Sequence, residues 1–188
     1  MAGVREGSGT ADMKTLYLMR HAKSAHGGGF SGDHDRPLNQ RGRDAALLVG
    51  DYMAAHGMTP EYVLCSDAER TRETLALLAP RLDAIGPVDT RSDLYLAGER
   101  TMLKAIQSVP GEPNSVLLIG HNPGLESLAL ALADSGAGDA AGYARLEQKC
   151  PTGALAILEF DTEHWRDVGP GRGRLLDFVV PRVLAAAD

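Results

Sequence analysis

The most informative stretch of the chain reads Thr15-Leu16-Tyr17-Leu18-Met19-Arg20-His21, a short apolar run that ends in two basic side chains. An apolar run of this length predicts a buried strand. In open α/β sheets, ligands bind just beyond the carboxyl ends of the strands, and Arg20 and His21 stand at that position. The stretch therefore predicts a buried strand with a polar site directly behind it.

Strand and helix patterns alternate along the rest of the chain. Further apolar runs predict strands at 62–65, 87–90, 115–119, 154–160 and 174–180. The last two are expected to pair antiparallel at a sheet edge. Glycine-rich or polar segments at 27–32, 134–142 and 168–173 are interpreted as loops or turns. The alternation predicts an α/β fold, a three-layer α/β/α sandwich with a mostly parallel sheet.

Three polar segments predict the starts of helices. Asn39 is placed to cap a helix that Gly57 ends. Ser66 and Glu69 have the spacing of a capping box, which predicts a helix start at Ser66. Asn122 before Pro123 predicts an N-cap with proline at the first helical position.

Composition and charge restrict the class of protein. The chain has 188 residues, 44% of them hydrophobic and 23% charged, which is typical of one globular domain. We predict a single domain over 14–188 behind a flexible tail at 1–13. A net charge of -6 argues against a nucleic-acid surface, and no apolar stretch approaches the roughly 20 residues of a membrane span. Two cysteines without a CxxC pattern favour a reduced, cytoplasmic protein.

Polar clusters follow three of the predicted strands. Arg20 and His21 follow the first, the segment 66–70 follows the second, and His121 follows the strand at 115–119. If these strands are parallel neighbours, all three clusters meet at one edge of the sheet. Two guanidinium groups can bind a tetrahedral dianion, and two imidazoles can supply a nucleophile and a charge-stabilising donor. The sequence thus predicts a phosphate pocket that needs no metal and no cofactor.

These segments resemble the motifs of the histidine phosphatase superfamily, which has the phosphoglycerate-mutase-like fold. The resemblance covers 18–24 (Leu-Met-Arg-His-Ala-Lys-Ser), 66–74 with the pattern Ser-x-x-x-Arg-x-x-x-Thr, and 119–123 with Gly-His. Alanine at position 22, where most members have glycine, resembles the SixA-type phosphohistidine phosphatase branch. Asp35-Arg36-Pro37-Leu38 and the short chain are similar to that branch as well.

The resemblance implies a role for each matching residue. His21 would attack phosphorus and become phosphohistidine, while Arg20, Arg70 and His121 would hold the phosphoryl oxygens. Ser24 and Asn122 are further candidates for phosphate binding. The physics adds one requirement, since His21 must be neutral at Nε2 with its Nδ1–H held by an acceptor.

The general acid and the substrate stay open at this level. Candidates for the acid are Glu99, Asp35 and Glu69. A weak acid is tolerable for a phosphohistidine substrate, because imidazole leaves phosphorus more easily than an alkoxide does. We therefore expect action on phosphohistidine, or another phosphoamidate, of a protein.

Three alternative functions remain. One is a phosphomonoesterase acting on a small phosphorylated metabolite, with a mutase less favoured because the site has no cap. Another is a phosphate-binding module without turnover. The third is a metallohydrolase that would use His26 and Asp33-His34-Asp35, although a solvated polar loop is the favoured interpretation of that segment.

Overall fold

The computed structural model describes residues 13–186 of the chain. Its strands are β1 (Met13–Arg20), β2 (Tyr62–Ser66), β3 (Val88–Arg91), β4 (Ser115–Gly120), β5 (Ala133–Gly138), β6 (Leu155–Asp161) and β7 (Gly173–Val179). Its α-helices are α1 (Gln40–Ala55), α2 (Glu69–Leu78), α3 (Glu99–Gln107), α4 (Gly124–Leu132), α5 (Ala140–Gln148) and α6 (Pro181–Leu184).

All seven strands form one sheet in the order β3-β2-β4-β1-β6-β7-β5. The pairs β3–β2, β2–β4, β4–β1 and β7–β5 are parallel, whereas β6 runs antiparallel to both β1 and β7. The predicted mostly parallel sheet is therefore confirmed. The predicted antiparallel pair is also confirmed, but β5 and not β7 forms that edge of the sheet.

Helices cover both faces of the sheet, as the alternation of side chains along β1 illustrates. Leu16 and Leu18 belong to a core on one face, which α3, α4 and α5 cover. Tyr17 and Met19 belong to the core on the opposite face, which α1 and α2 cover. Successive strand residues point to opposite faces, so a run that is apolar throughout requires both layers. The three-layer α/β/α prediction is confirmed.

The helix starts were predicted with mixed success. The Asn39 side chain accepts a hydrogen bond from the Gly42 amide, as predicted. The capping box is wrong, because α2 begins at Glu69 after Ala68 and has no side-chain cap. The Asn122 cap is also wrong, because α4 begins at Gly124 after Pro123 and the Asn122 amide contacts other groups.

The predicted loop at 134–142 and the predicted tail at 1–13 also have to be compared with the structure. The predicted loop at 134–142 forms most of β5 and the start of α5. The predicted tail lies outside the described residues except for Met13, which pairs with Asp161 in the sheet. Between residues 13 and 186, no helix has the length and apolar character that crossing a membrane would require.

Candidate active site

The register of the central strands brings the three predicted clusters to one edge of the sheet. Arg20 at the end of β1 pairs with Gly120 at the end of β4, and Cys65 of β2 pairs with Ile119. The segments that follow these strands therefore start side by side. The imidazoles of His21 and His121 lie with ring centroids 5.1 Å apart.

His21 is held in the tautomer that nucleophilic attack requires. Its Nδ1 lies 2.8 Å from the Ala22 carbonyl oxygen, and because a carbonyl oxygen only accepts, Nδ1 carries the proton. The lone pair is then on Nε2. Burial, aided by the positive charges of Arg70 and Arg20, lowers the pKa of His21 to about 4. His21 is therefore neutral near pH 7, with Nε2 available as a nucleophile.

Helix α2 fixes the segment that holds His21. Thr74 accepts a hydrogen bond from the Ala22 amide at 3.1 Å and donates one to the Arg70 carbonyl at 2.6 Å. Residues four apart lie on one face of a helix, so Arg70 and Thr74 face the same loop. The spacing of the motif thus has a structural reason, because one helix face both carries the guanidinium and positions the histidine loop.

His121 is the more deeply buried of the two histidines, with an exposed fraction of 1%. Its Nε2 lies 2.8 Å from Ser66 Oγ, and its Nδ1 lies 3.4 Å from an Arg70 nitrogen. A guanidinium only donates, so Nδ1 accepts and Nε2 donates to Ser66. Burial, with His21 and Arg70 nearby, lowers the pKa of His121 to about 3. In this arrangement His121 contacts Ser66 and Arg70, and its predicted contact with phosphate stays a prediction.

Arg70 is paired with an acidic residue that sequence analysis did not assign to the site. Its guanidinium donates to the Asp33 backbone oxygen at 2.7 Å and to the Asp33 carboxylate at 3.0 Å. The Tyr95 hydroxyl donates to the same carboxylate at 2.7 Å. This hydrogen bond and the charges of Arg70 and Arg36 hold the pKa of the Asp33 carboxyl below its usual value. Asp33 is therefore an anion, and it occupies donors of Arg70 that the phosphate pocket would use.

Two further guanidinium groups complete the positive side of the site. Arg20 donates to the Cys150 carbonyl at 2.8 Å, and Arg36 donates to Ser24 and forms an ion pair with Asp33 at 3.0 Å. The Nε atoms of Arg20 and Arg36 are both buried without an acceptor among the described residues. Buried donors are normally paired, so each of these two charged groups retains one N–H without the partner that a buried donor usually has.

Tyr95 is a second site residue that sequence analysis missed. Its ring meets His121 edge to face at 5.5 Å and His34 at 4.9 Å, and the Arg70 guanidinium lies 5.7 Å from the ring centroid. It follows β3 by four residues, at the same edge of the sheet as the motif residues. A position after a parallel strand was the available signal, but no motif singled out this tyrosine.

The remaining predicted phosphate ligands have other contacts. Ser24 is buried and accepts from Arg36. The Asn122 side-chain nitrogen donates to Glu126 at 2.8 Å and to the Cys150 carbonyl at 3.1 Å. These bonds use both donor hydrogens of the side chain in this arrangement, and the predicted contact of Asn122 with phosphate stays a prediction.

Among residues 13–186, no side-chain hydrogen bond or ion pair joins any of the three candidate general acids to His21 or His121. Glu99 lines a separate cleft between α3 and α4. Asp35 lies 3.5 Å from His34, and Glu69 lies 3.5 Å from Arg72. The Asp35 carboxylate is exposed and the Glu69 carboxylate is partly exposed, and a role for either as the general acid stays a prediction.

The acidic loop that suggested a metal site has other partners. His34 bonds to Asp67 at 2.8 Å, and Asp33 faces Arg70 and Arg36. Within residues 13–186, no group of three or more histidine, cysteine, aspartate and glutamate side chains is close enough to hold a metal ion. Asp33 and His34 therefore serve as contacts within the protein in this arrangement.

The chain is similar to a protein-family model, to proteins of known sequence and to solved structures. Residues 16–95 match the model of the histidine phosphatase superfamily, branch 1. An uncharacterised protein of Mycobacterium tuberculosis is 41% identical over 164 residues, which is 87% of this chain and all of that protein. A candidate phosphohistidine phosphatase SixA from Nakamurella multipartitia has a TM-score of 0.77 at 30% identity, covering 90% of this chain and 96% of that one. A second candidate SixA, from Agrobacterium tumefaciens, has a TM-score of 0.74 at 32% identity, covering 89% and 98%.

The fold and the paired histidines and arginines define a phosphatase of the α/β class. The chain belongs to the histidine phosphatase superfamily. It is a phosphoric hydrolase, and the predicted family is confirmed.

Proposed function

We propose that this protein hydrolyses phosphohistidine in a phosphorylated protein and forms a covalent phosphohistidine on His21. The observation that carries the proposal is the tautomer of His21. Its Nδ1–H is bound to the Ala22 carbonyl, so the Nε2 lone pair is the reactive end of the ring. The positive charges of Arg20, Arg36 and Arg70 influence the same imidazole, which favours its neutral form and an anionic substrate beside it.

The reaction has two displacements at phosphorus. His21 Nε2 attacks the phosphoryl group and a new N–P bond forms. The bond between phosphorus and the substrate imidazole breaks, and its electron pair stays on the imidazole nitrogen. Water then attacks phosphorus, the His21 N–P bond breaks, and inorganic phosphate leaves with the free histidine restored. The guanidinium groups stabilise charge on the equatorial oxygens, which is the main source of catalysis in phosphoryl transfer.

We choose a nitrogen leaving group because of the bonds and the charge state of the acidic residues, one of which would have to protonate a leaving oxygen. The side chains of the candidate acids Glu99, Asp35 and Glu69 form no hydrogen bond or ion pair with the nucleophile, and Asp33 is held ionised by its neighbours. An ionised carboxylate has no proton to donate to a leaving oxygen. An imidazole leaving group needs less protonation than an alkoxide, so the site suits phosphohistidine better than a sugar phosphate. The SixA names of the two solved relatives are consistent with this choice.

A substrate panel in the presence of a metal chelator tests the proposal. Phosphate release is measured from free phosphohistidine, a phosphohistidine peptide and a set of sugar phosphates. We expect phosphohistidine to have the highest kcat/KM, and we expect His21→Ala to lose roughly 10³-fold or more in rate. His56→Ala is the matched control, because His56 is exposed at the end of α1 and its ring, among residues 13–186, is hydrogen-bonded only to the Tyr52 carbonyl of that helix.

Each part of the proposal has its own contradicting result. Equal or faster turnover of sugar phosphates would favour the phosphomonoesterase alternative and overturn the substrate. An undiminished rate in His21→Ala would overturn the mechanism. Loss of activity in the chelator that added divalent metal restores would favour the metallohydrolase alternative.

A further inference from the structure

A cleft of about 290 Å³ lies near the edge of the sheet where His21 and His121 meet, and it has no part in the proposed chemistry. It is lined by Lys23, by the part of α1 from Arg41 to Leu48, by the turn at 151–152 and by residues in and beside α6. Helix α1 follows β1 and α6 follows β7. Because β1 and β7 are both antiparallel to β6, their carboxyl ends lie at the same edge of the sheet. The cleft is therefore on the side of the molecule where His21 lies.

One turn connects the cleft to the nucleophile. Pro151 and Thr152 line the cleft, and the residue before them, Cys150, accepts a hydrogen bond from Arg20. The residue after them, Gly153, donates its amide to the carbonyl oxygens of Arg20 and His21 at 3.1 and 3.0 Å. A turn of four residues, 150–153, therefore links the lining of the cleft to Arg20 and His21.

The lining combines an apolar floor with a positive rim. Alanine, leucine, valine and proline side chains form the floor, and Lys23, Arg41 and Arg182 stand around it with one carboxylate, Asp44. Asp44 accepts a hydrogen bond from Gln40. Across residues 13–186, none of the three cations forms an ion pair. In a chain with a net charge of -6, three such cations at one cleft create a local attraction for an anion.

We infer that this cleft docks an acidic segment of the phosphorylated protein, with an apolar side chain on the floor and carboxylates against Arg41 and Arg182. The inference rests on the proposed function. A free inorganic anion would leave the apolar floor uncovered, whereas a polypeptide supplies both chemistries next to the phosphohistidine it presents. The cleft thereby adds affinity for protein substrates without touching the reacting atoms.

Phosphohistidine peptides that differ only in their flanks test the inference. A Leu-Glu-Glu segment is placed at successive positions on either side of phosphohistidine. Peptides with Leu-Gln-Gln at the same positions are the uncharged controls. At one placement we expect the acidic peptide to have a KM roughly three- to tenfold lower, with kcat unchanged, since two exposed ion pairs contribute this much. The double variant Arg41→Gln, Arg182→Gln should remove the difference.

A matched control separates docking from general charge effects. Arg100 and Lys104 are exposed on α3, away from the cleft, and neither forms an ion pair among the described residues. Arg100→Gln, Lys104→Gln changes the net charge equally and should retain the gain. Turnover of free phosphohistidine should stay within twofold of wild type in both double variants.

Three results would overturn the inference. The first is that no position of the Leu-Glu-Glu segment lowers KM. The second is that the control variant loses the lower KM of the acidic peptide to the same extent. The third is that a small dicarboxylate competes as strongly as the unphosphorylated acidic peptide. Anisotropy of that peptide, labelled with a fluorophore, measures docking without turnover. If neither free phosphohistidine nor any of the phosphohistidine peptides is hydrolysed, the proposed function fails, and the anisotropy comparison still decides on the cleft.

Discussion

Protonation of His21 should be visible as a loss of folding stability at mildly acidic pH. In the unfolded chain this histidine has its ordinary pKa of 6.5 and binds a proton when the pH falls below that value. In the folded protein, burial lowers the pKa to about 4. Between these values the unfolded state binds more protons, so the free energy of unfolding falls as the pH falls. At 1.36 kcal/mol per pKa unit, this difference in the pKa of His21 lowers the free energy of unfolding by about 3 kcal/mol between pH 7 and pH 4.

The assay compares urea unfolding of wild type and His21→Gln from pH 7 to pH 4. The variant has no titrating group at position 21 and keeps His121, so wild type should lose about 3 kcal/mol more than the variant over this interval. His56→Gln, which changes an exposed histidine, should follow the wild-type profile. Parallel profiles for wild type and His21→Gln, or an NMR titration of the His21 ring near pH 6.5, would refute the buried, neutral nucleophile.

Three other substitutions test separate parts of the site and the fold. Arg70→Lys should lower kcat/KM by about 10²-fold and weaken inhibition by tungstate, because an ammonium cannot bind two phosphoryl oxygens as a guanidinium does; a loss under threefold would contradict a phosphate role. Asp33→Asn should tighten inhibition by vanadate, since it removes a negative charge from the donors of Arg70, and weaker inhibition would show that the Asp33 charge helps to build the pocket. Gly42→Ala should destabilise the protein by about 2 kcal/mol or more in urea unfolding, because a Cβ atom there would lie 2.1 Å from the Lys23 carbonyl oxygen. Gly29→Ala, where a Cβ meets no atom within 4 Å, is its control, and equal stability of the two variants would contradict the reasoning.

The central fold could be predicted because its signals are local. The strands β1, β2 and β4 are short apolar runs, and burial on both sides of the sheet makes such runs necessary. Strand β5 carries no such signal, because its sequence Ala-Asp-Ser-Gly-Ala-Gly is small and polar and most of it is exposed at the sheet edge. A strand of this kind is defined by pairing with β7, which no local pattern encodes.

The site could be predicted where a motif lies next to a strand. The four residues His21, Arg20, Arg70 and His121 meet because parallel strands bring their carboxyl ends together. Asp33 and Tyr95 were missed because their contact joins two loops that are 62 residues apart. A hydrogen bond of that kind depends on the folded path of both loops.

The Ser66 prediction was wrong for a related reason. A serine three residues before a glutamate satisfies a local pattern, but its hydroxyl is bonded to His121, 55 residues further along the chain. The tertiary partner determines the orientation of the side chain here. Helix α2 therefore starts without the predicted cap.

The most direct test of the account is to trap the intermediate. Wild type is mixed with phosphohistidine labelled with ³²P, quenched in alkali within milliseconds, and digested for peptide mapping. We expect label on Nε2 of His21 in wild type and none in His21→Gln. Turnover with no bound label under conditions that stabilise phosphohistidine, or label at another residue, would contradict the central claim that His21 is the nucleophile.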